Sequence, residues 1–101
     1  MLLLTKRKYF DAIKEGKKTV DIRKAAGLYK NAKIGSEILF MCGRQKFTRK
    51  IKEIYRGTLE EILEEVDFRE IIPWAKSREE FIENLREIYP KQEEFVAFRI
   101  G

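Results

Sequence analysis

The segment Gly16-Lys17-Lys18-Thr19-Val20-Asp21-Ile22-Arg23 holds the chain's densest set of groups able to do chemistry. Val20 and Ile22 alternate with Thr19, Asp21 and Arg23, the period-two pattern of a half-buried strand. Asp21 and Arg23 therefore project from one side, about 7 Å apart at strand rise, and Lys18 stands at the strand's entrance. A carboxylate beside a forked cation can accept from an exocyclic amine such as that of cytosine, while guanidinium and ammonium groups hold phosphates or a carbonyl oxygen. A desolvated Lys18 could instead act as a base or polarise a carbonyl, with Asp21 or an acidic residue such as Glu70 assisting. An ion pair with Asp21 would oppose that role by keeping the amine protonated. The same side chains could also form nothing more than an ion network on a strand edge, contributing roughly 0 to 1 kcal/mol if exposed.

Missing residues narrow the chemistry further. The 101 residues include no His and one Cys, which removes Ser-His-Asp and Cys-His nucleophile systems and leaves no usual zinc ligand set. Neither metal nor cofactor is expected. Cys42 has no disulfide partner and reads as a small buried hydrophobe at the end of an apolar strand. The longest apolar run, Ile38 to Cys42, is far short of the roughly 20 residues a bilayer span needs. The opening Met-Leu-Leu-Leu precedes its basic residues, the reverse of a secretory signal. A cytoplasmic protein without membrane contact is the expectation.

The elements that must position these groups follow from periodicity. Residues 2 to 4 form a short apolar strand, and Thr5 can cap a helix carrying Tyr9, Phe10 and Ile13 until Gly16 ends it. Residues 24 to 36 read as a surface loop. Glu37 to Met41 is apolar on both faces, Gly43-Arg44-Gln45 is a turn, and Phe47, Ile51 and Tyr55 alternate with Thr48, Lys50 and Lys52, so residues 38 to 55 look like a hairpin. Thr58-Leu-Glu-Glu61 and Ser77-Arg-Glu-Glu80 match the capping box and open two helices, the second stopped by Pro90. Phe95 to Ile100 alternates as a final strand. Three helices among strands without a repeating βαβ series predict a single α+β domain over residues 1–101.

Charge is unevenly divided. Residues 1 to 56 hold 16 Lys+Arg against 5 Asp+Glu, and the remainder 6 against 12. A basic half is an electrostatic footprint for a polyanion, most commonly nucleic acid. Abundant Lys and Glu with few Asn, Gln and Cys is equally the surface composition of proteins from hot environments. Lys46, Lys50 and Lys52 would track a phosphate backbone if they share a side with the pocket, whereas Arg49 has the parity of Phe47 and can pair with Glu53. Tyr29 in the basic loop and Trp74 after Pro73 could stack on a base, a contact worth roughly 1 to 3 kcal/mol, although a single Trp commonly packs in a core. Tyr89 falls on an apolar stripe with Phe81 and reads as core.

The order Gly16-x-Lys18-x-x-Asp21-x-Arg23 after a short helix, Lys33-Ile34-Gly35 before an apolar strand, and Ile88-Tyr89-Pro90 before the last strand resembles the ASCH domain family, as a small single-domain member of archaeal type. That resemblance covers almost the whole chain. It implies a PUA-like mixed or antiparallel β-barrel of about five to six strands with three flanking helices. It also implies a pocket lined by the signature strand, for RNA, a nucleotide or a modified nucleoside. Lys18, Asp21 and Arg23 carry over to the pocket positions; Asp21 replaces the usual Glu, and Ser36 stands where many members have Asp. Lys17, Tyr29, Lys46, Lys50, Lys52 and Trp74 complete the expected binding set.

Some members resemble this chain while hydrolysing N4-acetylcytidine with a lysine, a threonine three residues on and a distant glutamate. Lys18 matches the lysine, but Asp21 and Trp74 occupy the other two positions, and Thr19 should point away from its neighbours. The leading expectation is therefore an RNA- or nucleotide-binding domain. The alternative is a small hydrolase, on an acetylated nucleoside or as a ribonuclease, with Lys18 and Asp21 catalytic. A structural or partner-binding protein is third, and the oligomeric state is left open.

Overall fold

The computed structural model describes residues 1–101. Strands β1 (Leu2–Leu4), β2 (Val20–Lys24), β3 (Glu37–Cys42), β4 (Gln45–Gly57) and β5 (Phe95–Ile100) form one curled sheet in the order β1-β3-β4-β5-β2. The β1–β3 pair is parallel and the others are antiparallel. No ladder joins β1 to β2, so the curled sheet is an open half-barrel with a seam between its two edge strands.

Both faces of β5 are buried, as its apolar alternation requires. Val96, Phe98 and Ile100 point inward, with Leu3, Ile38, Phe40 and Ile51 from the other strands and Phe10 and Ile13 from helix α1 (Arg7–Lys14). Phe95 and Ala97 point outward, where α2 (Leu59–Glu65), α3 (Phe68–Ile71) and α4 (Arg78–Ile88) cover them with Leu59, Ile62, Ile71, Phe81 and Leu85. The sheet thus separates two apolar layers, the arrangement expected of an α+β domain. No helix is long and apolar enough to cross a membrane.

Several local expectations are corrected. There are four α-helices rather than three: α3 is one turn long, too short for periodicity to reveal, and Asp67 opens it with a capping box completed by Glu70. Thr5 does not cap α1; its hydroxyl donates to the Leu3 carbonyl, and Lys6 occupies the N-cap position without a side-chain bond. The box at Thr58 is complete, whereas Ser77 receives the Glu80 amide without reciprocation because Glu80 accepts from Lys76. The supposed surface loop contains a 3₁₀ turn over Gly27–Asn31. Hairpin β3–β4 turns at Gly43 with φ +59°, a conformation glycine adopts without strain. A bulge between Ile51 and Glu53 then shifts the phase of β4, so Ile54 packs inward and Tyr55 packs on the helical side instead of following Ile51.

Candidate functional site

The seam between β1 and β2 widens into a cavity of about 160 Å³. Leu4, Thr5 and Lys6 form one lip, β2 the other, and Tyr9 of α1, Ile71 and Ile72 at the end of α3, and Leu85 and Ile88 of α4 with Tyr89 at its C-cap close the back. Asp21 stands opposite Phe98 and Arg23 opposite Val96 in the β2–β5 ladder, so both project from the inward face. The side of β2 expected to be solvated is therefore a buried polar wall.

Lys18 and Asp21 are each 3% exposed. The Lys18 ammonium donates to the carbonyls of Val20 and Ile71, both at 2.7 Å, and lies 3.8 Å from Asp21 Oδ1. Asp21 Oδ2 accepts from Arg23 Nε at 2.8 Å, and Arg23 Nη2 reaches across the seam to Thr5 Oγ1 at 3.5 Å. One carboxylate thus stands between two cations. Burial pushes Lys18 down to about 8; Asp21 opposes that shift and Arg23 adds to it. Burial also raises the Tyr9 and Tyr89 phenols, so both remain neutral donors beside the charged row.

The chain conformation leading to Lys18 explains why a lysine can be buried here. Helix α1 ends at Lys14, Gly16 turns the chain with φ +79°, and the amides of Lys17 and Lys18 both donate to the Ala12 carbonyl. The Thr19 amide then donates to the Glu70 carbonyl, which aligns α3 beside the strand and presents the next carbonyl, Ile71, to the amine. A buried ammonium without such acceptors would be far less favourable.

No protein-family model and no curated protein matches the chain. Solved structures do. The hypothetical protein PH0355 superposes with a TM-score of 0.79 at 29% identity, over 100% of this chain and 98% of that one. Protein PF0455 from Pyrococcus furiosus gives 0.71 at 26%, over 100% and 96%. The ASCH protein from Zymomonas mobilis gives 0.72 at 19%, over 99% of this chain and 65% of its own length. The fold is that of an ASCH-type domain.

In this chain the cavity gathers Lys18, Asp21 and Arg23, and leaves the other expected contacts elsewhere. Lys17 is exposed and pairs with Glu15 at 3.1 Å. Tyr29 packs partly against the inward core. Trp74 stacks 5.0 Å from Tyr9 with the Lys8 ammonium 4.1 Å over its ring, so it supports a cavity wall from behind. Lys46 and Lys50 stand opposite Met41 and Glu37, on the outward face of the hairpin, and Lys52 is exposed at the bulge. Because Phe47 and Ile51 take the inward face, the outward lysines and the Asp21–Arg23 row project from opposite sides of the sheet.

Glu70, considered as an assisting acid, accepts from Arg99 and from the Asp67 amide and does not line the cavity. Arg49 lies over Phe47 at 4.4 Å and makes no pair with Glu53, which instead binds Tyr55 and Arg99. Thr19 is likewise absent from the lining, and no three His, Cys, Asp or Glu side chains converge as a metal site. Sequence reading missed Thr5, Tyr9 and Tyr89. Tyr89 carried one signal: a phenol immediately before a helix-stopping proline caps α4 at its end, where a polar tip can leave the core.

Proposed function

We propose that the cavity binds one unpaired base, presented by single-stranded RNA or by a free nucleotide or modified nucleoside. The observation that carries this reading is the Lys18–Asp21–Arg23 row, its first two members buried and Arg23 half-buried, on the wall of a 160 Å³ cavity. An apolar cavity of about 150 Å³ accommodates a benzene ring, so this volume suits one six-membered ring with polar edges. Asp21 retains acceptor capacity after its two cation contacts and suits an exocyclic amine. Arg23 offers its remaining N–H donors to a ring carbonyl or phosphate. Tyr9 and Tyr89 give the ring aromatic neighbours. A duplex does not suit the site, since A-form RNA keeps its base edges in a groove too narrow for side chains.

The test is calorimetric titration of nucleosides and short single-stranded RNAs against wild type and Arg23→Ala. At least tenfold weaker binding by the variant is expected; equal affinity would remove the charged row from recognition.

A second reading, amide hydrolysis of an acylated nucleoside, is favoured by the depressed Lys18 amine. With a pKa of about 8, about a tenth of the amine is neutral at pH 7. That fraction is enough for Lys18 to act as a general base toward water. Asp21 occupies the position where the resembling enzymes carry a hydroxyl, so water would be the nucleophile. Incubation with N4-acetylcytidine decides it: turnover that rises with a midpoint near pH 8 and vanishes in Lys18→Ala supports hydrolysis, and intact substrate rejects it.

A further inference from the structure

Beyond the lip of the cavity lies a second hollow, more open and about 280 Å³ in volume, walled by Met41, Cys42 and Gly43 at the end of β3. Leu4, Thr5 and Lys6 line both hollows and so form a divider one strand wide. Leu4 pairs with Met41 in one ladder and Lys46 pairs with Met41 in the next, which brings the three side chains to the same outward face. Leu4 is 75% exposed, unusual for a leucine flanked by two concavities rather than standing singly on a surface. Arg7 is engaged by Asp11 and Gln45, whereas Lys6 and Lys46 have no carboxylate within ion-pair distance.

We propose that the second hollow is a subsite for the nucleotide adjacent to the base held in the cavity. Leu4 is the wedge between the two bases, Lys6 the partner of the phosphate that joins them, and Lys46 the partner of the next phosphate. The proposal rests on the base-binding reading above and extends it: the ligand is a single strand of at least two nucleotides rather than a free nucleoside. A strand-wide divider of about 4.8 Å exceeds the 3.4 Å rise between neighbouring nucleotides of a duplex strand, so the two bases are held unstacked. Apolar side chains are used as such wedges between base steps. Lys46 stands opposite Met41, a wall of the second hollow, on the outward face and away from the Asp21–Arg23 row.

The test measures affinities of the four nucleosides and the four homodinucleotides ApA, CpC, GpG and UpU for the whole chain by calorimetry. For the base that binds, the dinucleotide should bind at least tenfold tighter than its nucleoside in wild type. Replacing the phosphate by an uncharged methylphosphonate linkage, or Lys6 by Ala, should reduce that ratio to about two or less, with thermal melting confirming that the variant is folded. A wild-type ratio near one, with nucleoside binding intact, overturns the second subsite and leaves the base cavity standing. A ratio that persists with the neutral linkage overturns the role of Lys6. If no nucleoside and no dinucleotide binds, the base-binding reading falls and the subsite falls with it.

Discussion

The ammonium group of Lys18 donates to the carbonyl oxygen of Ile71, 2.7 Å away and 53 positions later in the chain. This contact joins the entrance of β2 to the end of α3, so the strand that carries the charged row and the helix that backs the cavity are positioned together. The Glu70 carbonyl, receiving the Thr19 amide, makes the adjoining link.

The burial that lowers Lys18 to about 8 from 10.5 makes stability depend on alkaline pH. Below pH 8 the amine is protonated in the folded and unfolded chains alike, and its buried charge opposes folding in full. Between pH 8 and 10.5 the unfolded chain holds more protons, so stability rises with pH. Relative to Lys18→Met, wild type should gain roughly 2 kcal/mol between pH 7.5 and pH 9.5. Denaturant titrations of both proteins measure it, and parallel pH slopes would show that the amine titrates as an exposed lysine does.

Asp21 is the only carboxylate lining the cavity, and it faces both Lys18 and Arg23. Asp21→Asn preserves shape and removes the charge, and breaking a buried pair costs roughly 3 to 5 kcal/mol. Lys18 can release its proton in response, which places the loss near the lower figure. For a domain of this length the melting temperature should fall by about 10 °C or more. Scanning calorimetry showing a shift under 3 °C would mean the row contributes little to the fold.

Lys50 lies on the outward side of β4, and Lys52 is exposed at the bulge that follows. The double change Lys50→Ala/Lys52→Ala should move stability by no more than about 0.5 kcal/mol and leave nucleoside affinity within twofold. A tenfold loss in titration would place these lysines on the ligand path.

The complete capping box at Thr58 anchors α2 over the outward core. Thr58→Ala should destabilise the fold by about 1 kcal/mol, read from the urea midpoint at unchanged slope. No change would indicate that packing of Leu59 and Ile62 alone fixes the helix start.

Five strands and the three longer helices were legible because each carries a clear period or stop signal: Val96, Phe98 and Ile100 in β5, the hydroxyl of Thr58, Pro90 after α4. Lys18, Asp21 and Arg23 were legible as a cluster because strand parity is local. Their burial was not, since it depends on which elements close over that face, and α3 is too short to leave a periodic trace. The outward position of Lys46 and Lys50 follows from parity with Phe47, but which side of the sheet the seam cavity occupies is set by strand order. The reversal at Tyr55 was hidden because a bulge inserts its extra residue without a sequence mark in Ile51-Lys52-Glu53.

Strand β2 has one ladder partner, β5, which stands at the opposite end of the sequence. Such long-range pairing must overcome a large loop-closure entropy and is slow to form. The β3–β4 hairpin, whose strands are joined by a tight turn, can assemble early, but β2 cannot be fixed until Phe95–Ile100 has docked on β4. The row of Lys18, Asp21 and Arg23 is therefore complete only in the fully folded chain, once β5 has closed the sheet against β2.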